Sequence, residues 1–195
     1  VEESLALLGL SPASIDIVLM THMHHDHSGG LTYVNEQGEL VSKYPNAKII
    51  VNDVEWYEMR NPNNRTRGTY LRENWEPIQE QVTLYSEYIN VIPEIQMIRT
   101  SGHSNGHSIV LLKQGEDTMI HMGDLMLTHV HRNPLWVPAV DDYPMKSILA
   151  KDKWLRQAFE NHYKFFFYHD QFFAVAEFDK EGKEFVDYVL RSRPP

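Results

Sequence analysis

The sequence predicts a mixed α/β domain, and three observations predict it. Apolar runs of strand length alternate with stretches of helical periodicity. Several of those runs end in a loop that carries His or Asp. The composition is that of an ordinary globular chain, 42% hydrophobic and 23% charged over 195 residues. The length favours one domain, 1–195.

Each element has a local reason. Val1 to Gly9 reads as a helix with Leu5 and Leu8 on one face and Gly9 at its C-terminal turn. Ile15 to Met20 (IDIVLM) is a buried strand running into THMHHDHSGG, whose Gly29 and Gly30 permit close backbone approach. Ala47 to Asn52 is a second strand, and a helix with Trp56, Tyr57 and Met59 follows. Residues 61–80 are polar, with Asn-Pro and several Arg, and suggest an excursion from the core. Val91 to Thr100 holds a strand that ends at SGHSNGHS. Ile109 to Leu112 and Thr118 to Met122 form a hairpin about Gly115, and the second arm ends at Gly123-Asp124. A long aromatic loop, Leu125 to Tyr143, precedes a helix from Met145 to His162. Met145, Ile148, Leu155 and Phe159 recur there at helical spacing. Lys164 to Tyr168 is a strand leading to His169-Asp170. Phe172 to Phe178, a turn about Gly182 and a terminal helix or strand complete the chain.

The formal net charge of −9 disfavours nucleic acid and anionic membranes as partners. No apolar run reaches the roughly 18 residues of a membrane span. The absence of cysteine removes disulfides and thiolate zinc sites, so any metal must sit on His, Asp or Glu, and it fits a reducing, cytoplasmic setting. The chain opens inside a helix without an initiator Met, which suggests an absent N-terminal segment and leaves a leader peptide undecided.

Three His and one Asp fall within six residues: His22, His24, Asp26 and His27. On extended backbone, residues two apart point the same way, so His22 and His24 can converge on one ion. The chain then turns, and Asp26 and His27 can face a second. Imidazoles and carboxylate suit zinc and other first-row divalent ions. His25 alternates away from the ligands. Three more candidates each follow a strand: His103, Asp124 and His169. His107 reads as the opening of the next strand, with a hydrogen bond to a ligand as the lesser alternative. His121 reads as buried and satisfied, and His129, His131 and His162 as structural or surface. Asp141 and Asp142 precede Pro144 and read as helix caps. Asp170 reads as an orienter of backbone. Trp136, Tyr143, Tyr168, Phe172 and Phe173 read singly as core and together as the lining of an apolar pocket.

The order of these motifs resembles the metallo-β-lactamase superfamily. The stretches VLMTHMHHDHSGGLT, GHSNGHSIVLL, HMGDLMLTH, NPLWVPAVDDYPM and FYHD are similar to quorum-quenching lactonases of the YtnP type. The resemblance implies an αββα sandwich longer than this chain, whose early N-terminal strands would be missing here. It implies that His22, His24 and His103 hold one metal, that Asp26, His27 and His169 hold the other, and that Asp124 bridges them. The cofactors would be two divalent ions, zinc first, with Mn, Fe or Co also compatible. Asp124 stands where thiolate-dependent β-lactamases place a cysteine, and His24 where flavo-diiron proteins place a glutamate, so neither branch fits.

The implied reaction is opening of N-acyl-homoserine lactones by a hydroxide held between two ions roughly 3.5–4 Å apart. Asp26, Asp124 and Tyr143 are the candidate catalytic residues. Better-known lactonases of this kind carry a tyrosine three residues after the bridging aspartate. Leu127 occupies that position here, which leaves Tyr143 as a source of a phenol. The alternatives are a phosphotriesterase or arylesterase on the same fold, or a truncated, inactive binding protein. The expected partner is a small lactone or ester, with a homodimer or association with the absent N-terminal segment both open.

Overall fold

The computed structural model describes residues 1–192. They form two compact units, Val1–Ser86 and a second that begins at Glu87.

In the first unit, helix α1 (Glu2–Leu7) stops where Gly9 takes φ +69°, with the Gly9 and Leu10 N–H groups donating to the Ala6 and Leu5 carbonyls. Strand β1 (Ile17–Leu19) leads to the one-turn helix α2 (His25–Ser28). A hairpin follows, β2 (Thr32–Val34) and β3 (Leu40–Ser42), turning at Gly38. Then come β4 (Lys48–Asn52), α3 (Asp53–Arg60) and β5 (Val82–Tyr85). β1, β4 and β5 form a parallel sheet in the order β1-β4-β5. β4 reads as a near-continuous apolar run because both its faces are covered: Ile49, Ile50 and Val51 are all buried. Asn52 caps α3 through its side chain, which accepts from the Val54 N–H.

The polar segment 61–80 does not leave this unit. Tyr70 and Ile78 are buried in the same core as Met23, Ile49 and Trp56. The composition misled because the segment folds as turns and short 3₁₀ helices, and two buried apolar residues, Tyr70 and Ile78, anchor many exposed polar ones.

The second unit is a seven-stranded sheet. Its strands are β6 (Tyr88–Ile92), β7 (Ile95–Arg99), β8 (Ser108–Gln114), β9 (Asp117–His121), β10 (Lys164–Phe166), β11 (Phe173–Phe178) and β12 (Phe185–Leu190), in the order β12-β11-β10-β9-β8-β7-β6. The strand expected within 91–100 is β7, and Pro93 stands in the turn that separates it from an additional strand, β6, its antiparallel hairpin partner. The terminal element is a strand, β12, paired antiparallel with β11. Helix α4 (Pro144–Glu160) crosses over between the parallel neighbours β9 and β10. Pro144 opens it, and Ala150, Trp154, Leu155, Ala158 and Phe159 pack onto the sheet with Ile120, Phe165 and Phe178.

This topology explains which loops gather. β7, β9 and β10 run in one direction, since β8 is antiparallel to both β7 and β9 while β10 is parallel to β9. Their C-terminal loops therefore share one edge of the sheet. Among the described residues, no helix is long and apolar enough to cross a membrane.

Candidate metal centre

The candidate ligands divide between the units, and each set is built by its own surroundings. In the first unit the chain leaves β1 extended, with His24 at φ −59°, ψ 151°, and then enters α2 at His25. That change of backbone sets the arrangement of the rings. The His22 and His24 rings lie edge to face with centroids 4.6 Å apart, and the His22 and His27 centroids are 4.1 Å apart. His22 and His24 are buried, whereas His25 is exposed. Asp26 Oδ2 lies 3.5 Å from His27 Nε2, and the Asp26 side chain keeps 44% of its surface accessible.

The support beneath this loop was not legible in the sequence. Glu55 of α3 is fully buried, and its Oε1 accepts from the Met23 N–H at 2.8 Å and from the Tyr70 hydroxyl at 3.0 Å. It thereby holds the residue between His22 and His24. The Ser28 hydroxyl donates to the Met23 and His24 carbonyls, and Asn74 Nδ2 donates to Ser28 Oγ. Thr21 Oγ1 lies 3.1 Å from His22 Nδ1, which leaves Nε2 as the nitrogen a metal could take. Segment 61–80 thus serves the motif as its floor.

In the second unit the shared sheet edge brings His103, Asp124 and His169 together. His103 and Asp124 are buried. The two Asp124 oxygens face different imidazoles: Oδ2 is 3.5 Å from His103 Nε2, and Oδ1 is 3.4 Å from His169 Nε2. His103 is reached through a constrained turn. Gly102 has φ +110°, and a Cβ there would lie 2.7–2.8 Å from Ser147 of α4, so only glycine fits.

Asp141 is not a helix cap. The N-cap of α4 is Tyr143, without a side-chain capping bond. Asp141 is buried with Oδ1 2.9 Å from His103 Nδ1, so it holds the ring with Nε2 turned away from it. The Asp142 and Tyr143 N–H groups donate to the His103 and Gly102 carbonyls, tying the start of α4 to the same loop. His107 is likewise more than the start of a strand. Its Nε2 accepts the Asp124 backbone N–H at 3.1 Å, so Nδ1 carries the proton and donates to Thr100 Oγ1 at 3.0 Å. An aspartate and a histidine lying in unrelated loops have no spacing signature. Only the need of each ligand for a partner would have pointed to them.

Asp170 orients backbone as expected: it accepts from the Phe172 and Phe173 N–H groups and from both the backbone and Nδ1 of His129. Burial pushes its carboxyl up, but those bonds outweigh it and hold it below the usual carboxylate range. His121 is satisfied by the Phe166 carbonyl at 2.9 Å. Of the aromatics, Phe173 stacks on Phe185 inside the unit, while Trp136, Tyr168 and Phe172 are exposed. The Tyr143 ring is half-buried, with Lys146 Nζ 4.5 Å from its centroid.

The donor chemistry fits divalent metal. Two ligands about 2.0–2.1 Å from one tetrahedral ion sit about 3.4 Å apart. Asp26–His27, His103–Asp124 and Asp124–His169 all lie at 3.4–3.5 Å, beyond an ordinary hydrogen bond. The pattern of the metallo-beta-lactamase superfamily matches residues 1–168. The chain belongs to that superfamily. The superfamily match ends one residue before His169, whose inclusion therefore stands on its 3.4 Å approach to Asp124.

Solved structures agree with the superfamily fold. The crystal structure of a probable metal-dependent hydrolase from Staphylococcus aureus shares 37% identity at a TM-score of 0.93, covering 100% of this chain and 69% of that one. AidC, a dizinc quorum-quenching lactonase, superposes with a TM-score of 0.80 at 19% identity, over 100% of this chain and 70% of its own. An N-acyl homoserine lactonase from Bacillus cereus is 27% identical over 113 residues, which is 58% of this chain and 39% of that protein. The chain thus spans about two fifths of the length of that curated relative.

Proposed function

We propose that the two donor sets act as one dinuclear centre and that the protein hydrolyses the lactone ring of N-acyl-homoserine lactones. In this reading His22, His24 and His103 hold one divalent ion, Asp26, His27 and His169 hold the other, and Asp124 serves both. Zinc is the first expectation for the ion. The observation that carries the reading is the two-sided approach of Asp124 to His103 and His169 at 3.5 and 3.4 Å. One carboxylate facing two imidazoles suits a bridging ligand and suits no ordinary salt bridge. Superfamily membership and the lactonase relative support the same assignment.

Bound metal supplies Lewis acidity toward a carbonyl oxygen and lowers the pKa of water toward neutrality. The chain's own residues supply position. The Asp141 carboxylate only accepts, so it fixes the His103 tautomer with Nε2 presented, and the Thr21 hydroxyl engages His22 Nδ1 so that Nε2 is the nitrogen presented there too. His107 holds the Asp124 backbone, which fixes the point from which that carboxylate projects. Asp26 is the accessible carboxylate of the set. Tyr143 is the candidate phenol to donate to the substrate carbonyl, since Leu127 cannot. Water adds to the lactone carbonyl, the ring C–O bond breaks, and the products are a carboxylate and an alcohol. Leu127 also motivates the second reading, a phosphotriesterase or arylesterase using the same centre.

A panel assay of the zinc-loaded protein on acyl-homoserine lactones, phosphotriesters and aryl esters tests this. Opening of lactones above the other two classes is expected. Turnover of phosphotriesters alone would transfer the assignment to the second reading, and no turnover of any class would overturn both.

A further inference from the structure

The segment between Asp124 and Asp141 contains no strand and no α-helix, only 3₁₀ turns, yet both its ends belong to the candidate metal edge. Its path must be fixed by side chains. His129 is held by Asp170, and Arg132 donates to the Gly182 and Lys183 carbonyls. The middle is held by Lys151. This residue of α4 is fully buried, and its ammonium donates to the Asn133 carbonyl at 2.9 Å and the Trp136 carbonyl at 2.7 Å. Within that turn the Trp136 N–H returns to the Asn133 carbonyl, and the Leu135 N–H to Asn133 Oδ1. The turn is therefore a closed loop with an ammonium at its centre, and it walls a cavity of about 670 Å³ opposite Leu155 and Phe159.

A lysine is almost never fully buried unless paired, because taking an ammonium out of water is costly. An apolar residue at position 151 would fill the same space at lower cost. The titratable neighbours of Lys151 are Asp141, whose carboxylate favours its ammonium, and His131, whose protonation burial and the ammonium both disfavour. Asp141 is the residue that holds His103.

We propose that Lys151 is a positioning residue for the metal edge: its buried ammonium fixes the middle of the 125–143 segment and thereby sets where Asp141 meets His103. The metal-affinity part of this proposal rests on the function proposed above, and the loop-ordering part does not.

Lys151→Met removes the charge and keeps the volume. Chymotryptic cleavage after Leu135 and Trp136 is expected to accelerate at least about tenfold, with far-UV circular dichroism unchanged. Zinc affinity, measured by chelator competition, is expected to fall about 10–100-fold, the usual cost of losing a partner of a ligand. The chain has no cysteine, so Lys151→Cys gives a unique thiol. Alkylated while unfolded and then refolded, it can carry either an aminoethyl group, which restores the ammonium, or a neutral carbamidomethyl group. Only the aminoethyl form should recover protection and zinc affinity. Unchanged cleavage and affinity in Lys151→Met, or equal recovery with both alkyl groups, would overturn the proposal. So would failure of both neutral variants to fold, which would make Lys151 a folding residue. If the wild-type protein binds no zinc, the proposed function fails, while the cleavage comparison still decides whether Lys151 orders the loop.

Discussion

The two units present their candidate metal donors in opposite ways. The first presents His22, His24, Asp26 and His27 on one short stretch, where a strand end and a single helical turn aim all four. The second presents His103, Asp124 and His169 from three separate loops, which meet only because β7, β9 and β10 point the same way. The local set needs a floor, supplied by Glu55, Ser28 and Tyr70. The dispersed set leans on hydrogen-bond partners: Asp141 for His103, and His107 for the Asp124 backbone. A motif that is local in sequence depends on the packing beneath it. A motif dispersed in sequence depends on hydrogen bonds around it.

The sharpest way to break this comparison is at Asp124. Asp124→Asn keeps the shape and removes the charge that the proposed centre shares, and turnover is expected to fall at least about 100-fold, on the scale of losing one preorganised electrostatic group. Loss of only a few-fold in steady-state kinetics would mean that Asp124 is a peripheral ligand.

The next effect concerns stability. Asp170→Ala leaves the Phe172, Phe173 and His129 N–H groups without their acceptor, and about 2–4 kcal/mol of unfolding free energy should be lost in denaturant titration. A change below about 0.5 kcal/mol would show that the loop re-forms without it. Asp141→Asn should act differently, weakening zinc binding by about 10–100-fold while moving the unfolding midpoint little. If stability falls and zinc affinity does not, Asp141 is a packing residue rather than the orienter of His103.

The smallest effect is a pH dependence. Burial, opposed in part by the Asp141 carboxylate, pushes the Lys151 ammonium down from its ordinary value to about 8. Its folded value lies below its unfolded one, so the unfolded chain holds the extra proton between them, and stability rises with pH there. The cost of burying the charge is therefore present below pH 8 and relieved between about 8 and 10.5. Thermal unfolding of wild type against Lys151→Met should show wild type gaining on the variant across that window. A difference that does not change with pH would contradict the assignment.

Much of the fold was legible because its signals are local. IDIVLM, the Gly115 hairpin and the 144–160 helix each carry their own periodicity or turn residue. Segment 61–80 was not, because two buried side chains, Tyr70 and Ile78, decide its path against its composition. In the candidate site, His22 to His27 followed from spacing alone. His103, Asp124 and His169 needed resemblance, since each is one histidine or aspartate among many. Glu55, Asp141 and Lys151 had no spacing signal, and His107 offered its role only as the lesser of two readings, because these roles exist only through partners far away in sequence.

The central claim is that both donor sets are ligands of one pair of ions. Native mass spectrometry of the protein loaded with zinc and freed of excess measures it most directly. Two zinc ions per chain are expected for the wild-type protein, and fewer than two for Asp124→Asn. One ion or none in the wild type, or two retained by Asp124→Asn, would contradict it.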